Sequence, residues 1–452
     1  MADSPQELTR INWSECFRFV RVFRSFRYAL QPVALMLTVL AVIKTYIVGR
    51  ILDFFWPDAS LPAIGGGMNE LSVFITNGGN AAATLEWAKA LGDPARLDHA
   101  GVFALLMNHL MVSANQVISA VLGASPTAVF AAIVHAVMGL VWLVVMHPLY
   151  AILFGACCLA IWSYLGGAVC RATAMLAARD ERITLGEATS FARARLWSFF
   201  CAPLLPLALI LVAGIVLTAC GLVGKVPLLG DILVGLLFFI AIGIGLAIAF
   251  FVVVFTAGVG MCFPTIAVEG SDAFDALSRT ATYLFGRPWK SLLYYAGAIV
   301  HGAICITFVK IFARIVFWAV GVFGGVTLNW ARAYVPTGER PGMFESIWQP
   351  PSLSADTPFY GVFDDTELSH VSAVARFLIR CWVYGMWAVV AAIAINYYFA
   401  ANTIIYLLLR REVDMTDLED VHLDEPPEGP AQPPAPTGAS GASSGTSLPV
   451  IG

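Results

Sequence analysis

ILVGLLFFIAIGIGLAIAFFVVVFTAGVGMCFP, residues Ile232–Pro264, contains no charged side chain. A helix needs about 20 consecutive apolar residues to cross the hydrocarbon of a bilayer, so this stretch is long enough to span with residues to spare. It belongs to a run over Val226–Pro264, and five comparable runs accompany it: Tyr28–Leu52, Thr127–Cys170, Trp197–Leu222, Ser291–Val326 and Ala373–Leu409. The pattern predicts an all-α integral membrane helical bundle with about six transmembrane helices.

Composition agrees. Hydrophobic residues make up 59% of the chain and charged residues 12%, against about 25% charged in a soluble domain, and the mean hydropathy is +0.79. The formal net charge of -4 says little as a total, because acids and bases are segregated along the chain; no nucleic-acid partner is expected. The nine cysteines lie in or beside apolar runs, without disulfide or metal-site spacing, and no cofactor is implied. The amino terminus lacks a short apolar core followed by a small-residue cleavage site, so the first run is read as a retained span.

Orientation follows from the basic residues. Arg10, Arg18, Arg21, Arg24 and Arg27 precede the first run; Arg171, Arg179, Arg182, Arg193 and Arg195 follow the second; Arg279, Arg287 and Lys290 precede the fifth; Arg410 and Arg411 follow the sixth. These segments fall on one side if six spans lie between them. Both termini are therefore expected in the cytoplasm. Residues 1–27 read as a cytoplasmic amphipathic basic helix, with Phe19, Val22, Phe23, Phe26 and Leu30 on one face for an anionic lipid surface. Residues 28–409 form the membrane domain, and 410–452 an acidic, then Pro, Gly and Ser-rich, disordered cytoplasmic tail read as a solvated tether.

The second run is twice as long as one span needs, and its only break is His147-Pro148. One span after Pro148, preceded by a kinked or re-entrant apolar helix, keeps the basic loops alternating. The outer loops, 53–125 and 327–372, form an extracytoplasmic cap, the first with helices at Ala81–Leu91 and Ala100–Leu122. On the cytoplasmic side two elbow helices are predicted. Thr184 and Glu187 have capping-box spacing; Ser271 is placed to cap a second helix that Gly286 closes before Arg287-Pro288-Trp289.

At the second elbow, Pro264, Val268-Glu269-Gly270, Ala273, Ala276-Leu277, Arg279, Gly286 and Trp289 resemble the hallmark segment of a loose group of prokaryotic multi-pass membrane proteins of unknown function. That group is similar to the membrane domain fused to some glycerophosphodiester phosphodiesterases. The resemblance covers the third to sixth runs and implies a multi-pass protein of a prokaryotic cytoplasmic (inner) membrane. It assigns no functional residues, and the chain has no soluble phosphodiesterase domain.

Chemical motifs are sparse. Gly221–Lys225 lacks the length and hydroxyl of a P-loop, Asp231 has no second intramembrane Asp to share a proton, and His135, His147 and His301 read as packing or interfacial histidines without an intramembrane carboxylate partner. The exception is a set of basic residues within or at the edge of the runs: Lys44, Lys310, Arg314, Arg376 and Arg380. Snorkelling to headgroups, or pairing with Asp364, Asp365 and Glu367, is the plain reading; an anion or lipid-headgroup site is the sharper one. The expected partners are membrane lipids, anionic headgroups among them, and other membrane proteins. The function these features favour is a non-catalytic role in membrane organisation, assembly or lipid handling, ahead of an anionic or amphipathic solute transporter and of a lipid enzyme.

Overall fold

The computed structural model describes residues 18–56, 69–90, 101–223, 229–324 and 373–423. Every regular element among them is helical. A 3-10 turn at Arg18–Arg24 leads into α1 (Ser25–Ala29) and α2 (Pro32–Phe55); then come α3 (Glu70–Thr76), α4 (Ala81–Ala90), α5 (Val102–Leu122), α6 (Pro126–Met146), α7 (Pro148–Arg179), α8 (Leu185–Ala194) and α9 (Leu196–Val223). A long rod follows, α10 (Leu229–Val253), a π-helical turn at Val254–Gly258 and α11 (Val259–Glu269). The last elements are α12 (Ala273–Gly286), α13 (Pro288–Ala319) with a π turn at Val320–Gly324, and α14 (Ala373–Val413).

Eight of these helices are long and apolar enough to cross a membrane, two more than the six runs. The additional pair is α5 and α6, which pack on each other as a hairpin through the Gly123–Ser125 turn. The long second run divides at His147, where Pro148 begins α7 without a backbone donor for the preceding turn. Because the extra helices come as a pair, the elbows stay on a common side whichever way the hairpin sits. α5 starts where Asp53 of α2 accepts from the N–H groups of Phe103 and Ala104, a carboxylate on the positive end of a helix. It then packs along α13, where Asn115 meets Lys310. α5 thus runs along the bundle rather than across its end.

The centre of the bundle is α14, packed against α1, α2, α7, α11 and α13. Ala400 to Leu409 are buried on every face, as are Leu165 to Leu176 of α7. Lipid tails are as apolar as leucine, so close packing rather than hydrophobicity must hold such helices together. Small residues permit it: a Cβ on Gly167 would lie 2.8 Å from the Phe199 ring. A second core at the far end joins Leu71, Phe74, Phe103, Leu106, Trp142 and Tyr150.

Both elbows form. α8 opens with the predicted reciprocal box, Glu187 N–H to Thr184 Oγ1 and Thr184 N–H to Glu187 Oε2. α12 is capped by Asp272 accepting from the Asp275 N–H, not by Ser271, whose buried Oγ has no hydrogen-bond partner among the described residues. A carboxylate is the stronger acceptor at a helix N-terminus. The basic segment before the first span is partly enclosed over its described residues, with Phe23 and Leu30 of the expected apolar face exposed. Val22, Ser25 and Tyr28 are buried, and the segment packs on α13 and α14. The segment following α14 stays on the body through Val421, which is buried, so the anchored chain extends beyond the 410 boundary expected for a tether. Past it only His422 and Leu423 are described.

Candidate functional site

Glu269 ends α11, where the helix dipole disfavours a carboxylate. Gly270 follows in the left-handed region, φ 66°, which lets the chain turn into the elbow. Three side chains converge on the Glu269 carboxylate. Tyr406 of α14 donates its hydroxyl to Oε1, Arg410 Nε lies 3.1 Å from the same oxygen, and Arg279 Nη1 of α12 is 2.7 Å from Oε2. Arg410 continues outward to the Asp420 carbonyl at 2.6 Å and its carboxylate at 3.2 Å. Arg279 also holds Asp275 at 2.9 Å, and Tyr283 donates to Asp414. Beside this knot, Glu412 receives Tyr294 OH and Lys290 Nζ, each at 2.5 Å.

The first elbow joins the same end of α11. Arg171 Nη1 donates to the Ala267 carbonyl at 2.7 Å and Arg195 Nε to the Gly270 carbonyl at 3.1 Å. These carbonyls are the unpaired acceptors of a helix C-terminus. Both guanidinium groups lie over the Phe191 ring, at 4.1 and 4.3 Å, within cation–π range. The electrostatics reinforce the geometry on α12. Burial works against the Arg279 charge, yet Glu269 and Asp275 outweigh it and hold the guanidinium above its ordinary value. Burial first, then the Asp414 carboxylate, pushes the Tyr283 phenol up. The network fastens α14, both elbows and the following segment together, and its carboxylates Glu269, Glu412, Asp414 and Asp420 are all engaged, so it acts as a latch.

Of the five basic residues nominated from the sequence, three have side chains among the described residues. Lys310 donates to Asn115 Oδ1 at 2.5 Å, a neutral amide on α5; Arg314 lies one turn further along α13 and is half-buried, and Lys44 is exposed on α2. Arg376 and Arg380 stand on the first turns of α14, but their side chains, like Asp364, Asp365 and Glu367, lie outside the described residues. The histidines are engaged. His135 Nδ1 meets Ser113 Oγ at 3.0 Å and its carbonyl accepts from His109. His301 bridges Tyr397 OH at 3.0 Å and Cys305 Sγ at 3.3 Å. His147 does have a carboxylate partner, the buried Glu70 at 3.3 Å, supplied by a helix, α3, that sequence reading did not anticipate.

Between the latch and the far end runs a groove of about 720 Å³. Its floor is the seam of α13 and α14, where Ala298, Gly302, Ala303 and Ala401 leave room. Gly302 is required to be small, since a Cβ there would meet the Tyr397 ring at 2.5 Å. Thr256 and Ala257 of the π turn form one wall, and Val117 and Val121 of α5 form another. The lining is overwhelmingly apolar; its polar points are the Tyr295 hydroxyl, 3.4 Å from Asn402 Oδ1, with Thr256, Tyr397, Tyr398 and Ser291. No known family model, characterised protein or solved structure matches the chain.

Sequence reading missed both features as sites. The latch left one trace, an acid at a helix C-terminus, which predicts a cation nearby. The groove left a repeat of small residues along α13, indistinguishable in one sequence from ordinary close packing.

Proposed function

We propose that this is a non-catalytic protein of a prokaryotic cytoplasmic membrane that handles lipid, with the elbows and latch facing the cytoplasm. The observation that carries the reading is the groove. It is apolar along its length and bordered by residues exposed toward the lipid side, Val253, Leu292 and Ile299 at 45, 60 and 52%. A volume of about 720 Å³ falls within the range of roughly 300–1,000 Å³ typical of ligand pockets. The cytoplasmic placement rests on the basic residues of the elbows and on Trp197 and Trp289, both strongly exposed there, as indoles at a membrane interface are.

The test is lipid analysis of the protein purified from its membranes in mild detergent. Retention of a lipid subset enriched over the bulk membrane is expected; the bulk composition, or no lipid, would refute the reading. A second reading, transport of an amphipathic solute, is favoured by the π turn at Val254–Gly258 on the groove wall, since such turns recur at functional sites. Solute flux into sealed proteoliposomes carrying the protein would establish it, and equal flux in empty vesicles would dismiss it.

A further inference from the structure

We propose that the groove holds one acyl chain of an anionic membrane lipid whose headgroup is bound by Arg287. The inference rests on the lipid-handling reading and names its ligand and its site.

Length comes first. On α13 the lining extends from Pro288 to Ile306, a separation of 306 − 288 = 18 residues and about 27 Å of helix, most of the roughly 30 Å hydrocarbon thickness. A water-soluble ligand gains little from an apolar slot of that length, whereas an extended hydrocarbon chain fills it. Access comes second. Leu292, Ile299 and Val253 border the groove and are exposed, so a chain enters sideways from the bilayer without passing through water.

Charge selects the headgroup. The elbow end of the groove is lined by Leu284, Phe285 and Pro288, and between the last two stands Arg287, exposed and without a partner among the described residues. Its neighbour Lys290 is neutralised by Glu412 at 2.5 Å, so of the two cations that open α13 Arg287 is the one left to meet an anion beside the groove's elbow end. Its backbone is fixed, because the Ser291 hydroxyl and N–H both donate to the Arg287 carbonyl. A guanidinium offers two parallel donors to a phosphate, and the adjacent Trp289, 81% exposed, suits the same interfacial depth. Apolar slot and cationic mouth together describe an anionic lipid rather than a neutral one.

The full-length protein in lipid nanodiscs is photolabelled with phosphatidylglycerol carrying a diazirine at the end of one acyl chain, or with the matching phosphatidylcholine. Phosphatidylglycerol is expected to label peptides containing residues 291–306 and 394–405. Thr256→Trp, at an exposed wall position, should block labelling by either lipid. Arg287→Gln should lower phosphatidylglycerol labelling about tenfold, to the phosphatidylcholine level, as loss of a charge-assisted hydrogen bond requires, and Arg287→Lys should restore it in part. Unchanged melting of each variant confirms the fold. Labelling spread over the lipid-facing surfaces of α9 and α10 and indifferent to Thr256→Trp overturns the groove site, and equal labelling by both lipids in the parent overturns the headgroup assignment. If enriched lipid still co-purifies in either case, the lipid-handling reading survives without this site; if none does, both fall.

Discussion

Replacing Glu269 by alanine withdraws one carboxylate from three partners at once. The Glu269 and Arg410 side chains are only 9 and 11% exposed, so their pair is effectively buried, and breaking such a pair by removing one partner costs about 3–5 kcal/mol. Tyr406, fully buried, loses its acceptor, worth about 1–3 kcal/mol in isolation. Arg279 is 40% exposed and retains Asp275, so its share is that of a surface pair, below about 1 kcal/mol. One carboxylate serves all three, so the losses overlap and the expected total is about 4 kcal/mol. Glu269→Gln keeps an acceptor for Tyr406 and should lose about half as much. Equilibrium unfolding in mixed detergent micelles measures both, and a double variant with Arg410→Gln should be less damaged than the sum of the singles. If Glu269→Ala unfolds within about 1 kcal/mol of the parent, the latch does not hold the bundle and the argument from burial fails.

Ending the chain after Leu423 should leave melting unchanged, whereas ending it after Val413 removes Asp414 and Asp420 from Tyr283 and Arg410 and should lower the melting temperature by several degrees; equal behaviour of the two truncations would contradict docking of this segment. The Tyr283 phenol titrates above its ordinary value of 10, so its contribution is intact below about pH 10 and is lost as the pH rises from there through the raised value. Alkaline unfolding should therefore weaken in pH dependence in Tyr283→Phe, and an unaltered profile would assign the alkaline loss elsewhere. In a cysteine-free background, cysteines at the exposed Ser190 and Asn77 should differ: a membrane-impermeant reagent added outside intact cells should reach Asn77→Cys only, and labelling of Ser190→Cys would invert the proposed orientation.

The runs and elbows were legible because they depend on local chemistry: an uncharged stretch such as Ile232–Pro264 has one comfortable solvent, and Thr184 with Glu187 closes a capping box within four residues. What could not be read were partners far apart in sequence. Asp53 looks like the first residue of a loop, yet it stays helical and caps α5 some fifty residues later. Glu70 gave no sign of His147, and the acids after Arg410 resemble a solvated tail until Asp420 is found on that arginine. Burial was equally hidden. In lipid the outward face of a helix is as apolar as the inward one, so the periodicity that marks a core in soluble proteins is lost, and nothing in Ala400–Leu409 announces a stretch buried on every face.

That α14, whose second half is buried on every face, follows the other described helices along the chain has a consequence for biogenesis. When α2 through α13 have left the ribosome, the space α14 will occupy is still open. Thr38, Tyr294 and the end of α11 then await Asn396, Glu412 and Arg410 respectively. Until α14 is in place, those polar groups lack the partners that satisfy them in the finished bundle. Insertion of α14 fills the gap, and the acids just behind it then clamp the elbows. A mutation in α14 that removes these partners is therefore expected to show itself first as a short-lived protein.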